Sequence, residues 1–300
     1  MNGTGFVPWV EHLLSLPLMD PDPEAVARAC RLMIDSGTAM AGDIATRFPQ
    51  DMAAAMDRAG LFFVSFAEAI GERVPESTIP KGNYEHGVHS AAGHSLYTTH
   101  TDLLRAAKAE TRSRNLPFSL HLSEHEDEVA IMLGTPSRFL DMLQSRGRLL
   151  DFKAPGRRPV QQAHALGLLD KSTLAIHCVQ LDESDVTVLR ESGATVCLCP
   201  RSNAFIGVGR APWETLAGQD IPLCLGTDSI ASNHDLDLWN EVLYLKRHWR
   251  GRLNFDEALS MLTRTPATAL GAPHLGTLEP GKAARFAIVP PDVQNAFSND

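Results

Sequence analysis

The feature that most constrains the fold is an alternation of short apolar runs with amphipathic helical patterns along most of the chain. Seven runs are predicted to be strands: residues 38–45, 61–69, 86–92, 117–124, 173–180, 194–200 and 221–228. Continuous apolar runs are typical of parallel strands, because the connecting helices bury both faces of the sheet. The pattern therefore predicts an α/β protein with a parallel sheet.

Helix boundaries are marked between these runs. Acidic residues and Pro23 precede one helical pattern and Gly37 follows it, while "TTHTDLLRAAKAETRSRN" begins with threonines that predict an N-cap. The pattern "EDEVAIMLGTPSRFLDML" predicts a helix broken near Gly134. The opening "FVPWVEHLLSLP" predicts a helix or loop with no strand before it, and "GTLEPGKAARFAIVPP" predicts a turn and a strand outside the repeat.

Composition limits the classes of partner. A formal net charge of −9 over 300 residues argues against nucleic acid and anionic membranes as partners. No apolar run is long enough to span a bilayer, and the first basic residue is Arg28, so a signal peptide is not predicted. The cysteines lie mostly in apolar runs, where buried thiols suit a reducing compartment. We expect a cytoplasmic protein that binds a small molecule, and a homo-oligomer is compatible with the sequence.

Polar residues recur where the predicted strands end. They are His94, His121, Glu124, His177 and Asp228. Arg201 and Asn203 follow the run 194–200. In a (β/α) barrel the carboxyl ends of the strands form the active face, so these groups are expected to converge.

Each of these residues also has a simpler interpretation. His121 could ligate a metal through a neutral imidazole while Glu124 moves a proton, or it could be a core histidine before a helix that starts with acidic residues. His177 alone is more often a hydrogen-bonded buried histidine, and Asp228 could cap a turn. If Asp228 is buried, its carboxylate needs a partner or a metal. His125 and the rest of "EHEDE" are expected at a solvated helix start.

The order of the motifs favours the chemical interpretation. The matching stretches are "GHSLYTTHTDLL", "LHLSEHEDE", "LAIHCVQLD", "LCPRSNAFIGVG", "LCLGTDSIASNHDLDLWNE", "TRTPATALG" and "GTLEPGKAARFAIV". Together they resemble the amidohydrolase superfamily, in its cytosine-deaminase-like branch, from about residue 35 onward. "GHSLYTT" and "GTDSIASN" are most similar to deaminases of S-adenosylhomocysteine, methylthioadenosine or aminodeoxyfutalosine. The resemblance implies a (β/α)8 TIM barrel of the metal-dependent hydrolase type.

The resemblance also implies roles for the matching residues. His121 and Asp228 would ligate one divalent metal, zinc first among alternatives that include iron, nickel and manganese. Glu124, His177 and Asp228 would be catalytic: Glu124 would move a proton between water and the purine ring, and His177 would orient or polarise the attacking hydroxide. His94 and Glu124 would contact the substrate. Arg201 could bind a substrate carboxylate, or it could have a structural partner in its loop.

The sequence departs from the family pattern at one place. The family carries a His-x-His pair at the end of its first barrel strand, and no two histidines of this chain are separated by a single residue. We therefore expect an incomplete barrel in residues 1–275 that lacks the first strand. Residues 276–300 are expected to be the remnant of a small β-sandwich domain, with "GKAARFAIV" as its strand.

These observations predict a zinc-dependent aminohydrolase that deaminates an adenosine-like nucleoside or a related aminated heterocycle. Since two protein ligands do not complete a catalytic zinc site, we expect this chain to be weakly active or inactive. One alternative is a hydrolase of a chloro- or amino-substituted heterocycle, such as a triazine or guanine. Another is a non-catalytic remnant that binds a ligand or partner through the former pocket.

Overall fold

The computed structural model describes residues 3–17, 19–146 and 152–298. Seven strands form one sheet in the order β1 to β7, and every neighbouring pair is parallel. The strands are Met40–Ala45 (β1), Phe62–Ala69 (β2), Gly87–Gly93 (β3), Phe118–Leu122 (β4), Thr173–His177 (β5), Thr195–Leu198 (β6) and Leu223–Leu225 (β7). All seven predicted strands are confirmed: six are shorter than predicted, and β3 has the predicted length but is shifted by one residue.

Helices connect the strands and flank the sheet. They are Phe6–Ser15 (α1), Pro23–Asp35 (α2), Pro49–Arg58 (α3), Thr101–Ser113 (α4), Glu126–Leu133 (α5), Arg138–Ser145 (α6), Pro159–Ala165 (α7), Glu183–Ser192 (α8), Pro200–Ile206 (α9), Trp213–Gly218 (α10), Leu238–His248 (α11), Phe255–Leu262 (α12), Arg264–Ala269 (α13) and Pro291–Phe297 (α14).

Local sequence sets several of these boundaries. The Asp22 side chain caps α2 by accepting from the amide of Glu24. The predicted break near Gly134 is confirmed, because this residue has φ 75° and ends α5. The threonine cap predicted for α4 is wrong: the His100 side chain takes that position and accepts from the amide of Asp102.

The sheet is an incomplete (β/α) barrel in the part of the chain that the structure describes. There β1 pairs only with β2 and β7 pairs only with β6, so the two edge strands flank the expected gap. Inside the curved sheet, an apolar cluster includes Phe66, Ile176 and Leu270. A larger cluster outside it packs the helices onto the strands, with Trp213 fully buried. The two clusters hold the strand tips in fixed positions.

The C-terminal segment differs from its prediction. Residues 281–289 form no strand, and the side chains of Phe286 and Ile288 are 74% and 85% exposed. A strand needs a neighbour for its backbone amides and carbonyls, and none of the described strands pairs with this segment. The chain then forms α14, whose Val293 is buried against the rest of the protein.

No helix among the described residues is long and apolar enough to cross a membrane.

Candidate functional site

The carboxyl end of the sheet brings together side chains from five strands. His121 and His177 belong to β4 and β5, and their ring centroids lie 5.6 Å apart at an interplanar angle of 25°. His94 follows β3, and its ring centroid is 5.5 Å from that of His121. Asp228 comes three residues after the end of β7. Since the strands are parallel, their carboxyl ends lie on one side of the sheet, and Asp228 is on the same side as the three histidines.

The backbone at these strand tips is strained. Ser123, His177, Cys178 and Asp228 have φ values of 53°, 72°, 49° and 57°. Each residue other than glycine in this left-handed region costs about 1–3 kcal/mol, and such residues cluster at functional sites. The carbonyl of Ser123 accepts hydrogen bonds from the amides of Val179 (2.9 Å) and Gln180 (2.8 Å), so the turns after β4 and β5 support each other.

Glu124 lies directly after this turn and faces His177. Its Oε1 atom is 3.7 Å from Nε2 of His177, and the side chains are 14% and 2% exposed. Oε2 of Glu128 accepts a 2.7 Å hydrogen bond from the amide of Glu124. Burial raises the pKa of Glu128 to about 8. A buried carboxyl group therefore holds the backbone that carries Glu124.

His125 and Glu128 correct the prediction of a solvated helix start. Both are 2% exposed. Nε2 of His125 is 3.0 Å from the hydroxyl of Tyr97, and its ring stacks on Phe6 at a centroid distance of 3.6 Å. Tertiary packing from α1 buries this segment, and the charge pattern of "EHEDE" gave no sign of it.

Glu68 is a site residue that the sequence analysis missed. Its side chain is 2% exposed at the end of β2, and Oε1 lies 3.3 Å from Nδ1 of His121. Burial opposes ionisation of Glu68, but the neighbouring imidazole of His121 outweighs it and lowers the carboxyl pKa. Burial likewise disfavours the His121 imidazolium, yet Glu68 raises the pKa of His121. The only sequence signal was an acidic residue in the apolar run "FFVSFAEA".

A second contact fixes the His121 ring. Its Nδ1–H group donates to the backbone carbonyl of His94 at 3.1 Å, and no side chain or backbone group of the described residues hydrogen-bonds to Nε2. Nδ1 of His94 lies 2.6 Å from the hydroxyl of Thr98, and burial lowers the pKa of His94 to about 4. His94 is therefore a neutral group next to His121.

Asp228 is exposed, so its carboxylate is not the buried group that the sequence suggested. Its oxygens are nevertheless oriented. Oδ2 accepts from the hydroxyls of Ser202 (2.6 Å) and Ser232 (2.9 Å), and Oδ1 accepts from the amide of Ser229 (2.7 Å). The structure thus combines the predicted turn contacts with a fixed carboxylate at the strand end.

Arg201 has a structural partner, which is the second of the two interpretations that the sequence left open. Its two terminal nitrogens bind the Asp235 carboxylate at 2.7 and 2.8 Å, and Nη1 is 3.5 Å from the buried Glu241. The hydrogen bonds from Arg201 lower the pKa of Asp235 to about 2. These two carboxylates hold the Arg201 guanidinium in place, and its role in binding a substrate carboxylate stays a prediction.

The described residues do not complete a metal site. His121 with its free Nε2 and Asp228 are candidate ligands, but no group of three or more His, Cys, Asp or Glu side chains is placed to hold a metal ion in this part of the chain. Cys197, Cys199 and Cys224 are buried, free thiols of the inner apolar cluster, as expected for core residues. Metal chemistry would require ligands beyond these two.

The parallel strands, their connecting helices and the polar residues at the strand ends define an incomplete (β/α) barrel, and comparison with known proteins identifies the family. Residues 13–300 match the Amidohydrolase family, and the chain belongs to it. A 5-methylthioadenosine/S-adenosylhomocysteine deaminase from Syntrophobacter fumaroxidans is 33% identical over 227 residues, which are 73% of this chain and 48% of that protein. A 5'-deoxyadenosine deaminase from Methanoregula boonei is 30% identical, over 87% of this chain and 59% of that protein.

Solved structures share the fold. An adenosine deaminase from Xanthomonas campestris with bound zinc superposes with a TM-score of 0.77 and 23% identity, covering 95% of this chain and 66% of that one. The chain spans about half the length of the curated relatives it matches, between 41% and 59%.

Proposed function

We propose that this chain carries the acid–base part of a hydrolytic deaminase that acts on an adenosine-like nucleoside substituted at its 5' position. The observation that carries the proposal is the pairing of Glu124 with His177, 3.7 Å apart, beside the free Nε2 of His121. The relatives named as deaminases of methylthioadenosine, S-adenosylhomocysteine and 5'-deoxyadenosine support the substrate class.

Each residue then has a defined task. Glu124 removes a proton from water and delivers it to a ring nitrogen of the base, which a positioned carboxyl group does efficiently. His177 holds the attacking water. His94, neutral because of its burial, contacts the purine. The water oxygen bonds to the ring carbon that carries the amine, the remaining hydroxyl proton passes to the amine nitrogen, and ammonia leaves as the C–N bond breaks.

The divalent metal belongs to the same proposal. We propose zinc, with His121 and Asp228 as two of its ligands, and iron, nickel or manganese as alternatives that share these donors. Because the described residues supply no third ligand, we derive no step through the metal. A cytoplasmic location and assembly into a homo-oligomer are also proposed.

The test is ammonia release from a panel of methylthioadenosine, S-adenosylhomocysteine, 5'-deoxyadenosine, adenosine and guanine. It is run with the 300-residue chain and with the same chain extended by a relative's first strand that ends in His-x-His. We expect turnover of the 5'-substituted adenosines in the extended chain and little in the short one. Guanine as the preferred substrate, or no turnover in a folded extended chain loaded with zinc, would reject the proposal.

A further inference from the structure

Asn203 contacts His177 on the side of the ring that faces away from Glu124. Its Oδ1 atom lies 2.9 Å from Nδ1 of His177, and Asn203 and His177 are 1% and 2% exposed. Asn203 is in the first turn of α9, where its amide donates to the carbonyl of Cys199 at 2.9 Å. The amides of Gly207 and Val208 in turn donate to the Asn203 carbonyl. The Asn203 backbone is therefore anchored at both ends.

An amide oxygen can only accept a hydrogen bond, so Nδ1 of His177 must be the donor. In a neutral imidazole the other nitrogen then has no hydrogen. We infer that Asn203 is a positioning residue that holds the neutral His177 ring with its hydrogen on Nδ1, so that Nε2 presents a lone pair towards Glu124.

This arrangement defines how a water molecule is held. Nε2 of His177 and Oε1 of Glu124 are both acceptors, 3.7 Å apart. A water molecule at about 2.8 Å from each atom can donate one hydrogen to each. Its oxygen lone pairs then point away from both residues. The role of His177 as an acceptor for the attacking water rests on the proposed function, whereas the position of its hydrogen does not.

The opposite arrangement makes a different prediction. If the Asn203 amide were reversed, Nδ2 would donate to Nδ1 of His177, and the ring hydrogen would move to Nε2, where it would donate towards Glu124. Nδ2 of Asn203 has no hydrogen-bond partner in the present arrangement. The two arrangements are distinguished by the position of one hydrogen.

The experiment is NMR of the full chain labelled with ¹⁵N in its histidine rings, without metal or substrate, in solution alkaline enough for the His177 ring to be neutral. Two-bond correlations from the carbon-bound ring hydrogens show which nitrogen of each ring is protonated, and a His177→Gln variant assigns the signals. The variants are Asn203→Leu, which removes the acceptor, and Asn203→Asp, which keeps an acceptor in nearly the same shape. Asn295→Leu, at an exposed position on α14, is the matched control.

We expect His177 of the wild type, of Asn203→Asp and of Asn295→Leu to be protonated on Nδ1 only. In Asn203→Leu, we expect a mixture of the two tautomers. The inference is overturned by a hydrogen on Nε2 of the neutral ring in the wild type or in Asn203→Asp, or by an unchanged tautomer in a folded Asn203→Leu chain. If Asn203→Leu does not fold, the wild type and Asn203→Asp still decide the question. Absence of deaminase activity would reject the proposed function and leave this result intact.

Discussion

The hydroxyl of Ser202 donates a 2.6 Å hydrogen bond to Oδ2 of Asp228, although the two residues follow different strands and lie 26 positions apart in the chain. Ser202 is fully buried, and its neighbour Asn203 contacts His177. One turn of α9 therefore orients two side chains: His177 at the end of β5 and Asp228 after β7, the two strands that flank β6. Such supporting contacts fix the geometry of a candidate metal ligand and of the residue proposed to hold the attacking water before substrate arrives.

This contact predicts the effect of Ser202→Ala on metal binding. Loss of the hydroxyl leaves Oδ2 of Asp228 with Ser232 as its hydroxyl partner, so the carboxylate is less well oriented. We expect zinc affinity to fall by about tenfold or more, as for other residues that orient metal ligands. Competition titration of zinc in the extended chain that carries His-x-His checks this, with Ser113→Ala, at an exposed helical serine, as the control. Equal affinities for Ser202→Ala and the control would contradict the prediction.

Glu124→Gln tests proton transfer in the extended chain that carries His-x-His. Glutamine keeps the size of the side chain but does not move a proton, so ammonia release should fall by about 10²–10⁴-fold. The melting temperature should change little, because Glu128 holds the backbone amide of residue 124 rather than its side chain. Glu126→Gln, at an exposed position in the first turn of α5, should keep full activity. Retained turnover in Glu124→Gln would exclude Glu124 as the proton carrier.

Glu128 should make stability depend on pH. Its pKa rises from an ordinary value of 4.5 to about 8, so the folded protein holds a proton that the unfolded chain has released. The contribution of Glu128 to the free energy of unfolding is fully present below pH 4.5 and declines as the pH rises towards about 8. Glu128→Gln has no carboxyl group to ionise. The difference in the free energy of unfolding between this variant and the wild type should therefore shift in favour of the variant as the pH rises, by a few kcal/mol at about 1.4 kcal/mol per pKa unit.

Urea unfolding at about pH 5 and about pH 9 measures this difference. Glu76→Gln, at an exposed position, should follow the wild type at both values. If Glu128→Gln and the wild type lose stability in parallel, Glu128 does not hold the extra proton.

Lys108 should stabilise the fold far from the candidate site. Its side chain is 3% exposed, and its ammonium group donates to Asp170 (2.7 Å), Ser172 (2.9 Å) and Thr173 (2.8 Å). Lys108→Met leaves the Asp170 carboxylate without this partner, and we expect a loss of about 3 kcal/mol in the free energy of unfolding. Chemical denaturation measures it, and Lys81→Met, at an exposed position, should have no comparable effect.

The same pair predicts acid sensitivity. Burial opposes ionisation of Asp170, but hydrogen bonds from Lys108, Ser172 and Arg112 together hold its pKa below the ordinary value of 3.8. The contribution of this carboxylate is therefore present above pH 3.8 and is lost as the pH falls through the lower folded value. In Lys108→Met the loss of stability in acid should be smaller than in the wild type. An equal loss in both would contradict this assignment.

The sequence alone determined the sheet. Apolar runs such as "PFSLHLSE" can only be buried on both faces, and the turn and cap residues between them fix where helices start. It also placed His121, His177 and Asp228 at strand ends, since strand direction and order follow from the repeat. The tail was predicted less well, because an apolar segment such as residues 281–289 becomes a strand only when a neighbour pairs with it.

Only the tertiary structure decided which groups meet at those strand ends. Glu68 reaches His121 across β3, Asn203 reaches His177 from a later helix, and Arg201 pairs with Asp235. These contacts join residues 26 to 53 positions apart, and their distances depend on how helices pack on the strands. The local sequence pattern predicts whether a side chain is buried and which end of a strand it occupies. Its contact partner depends on how the whole chain packs.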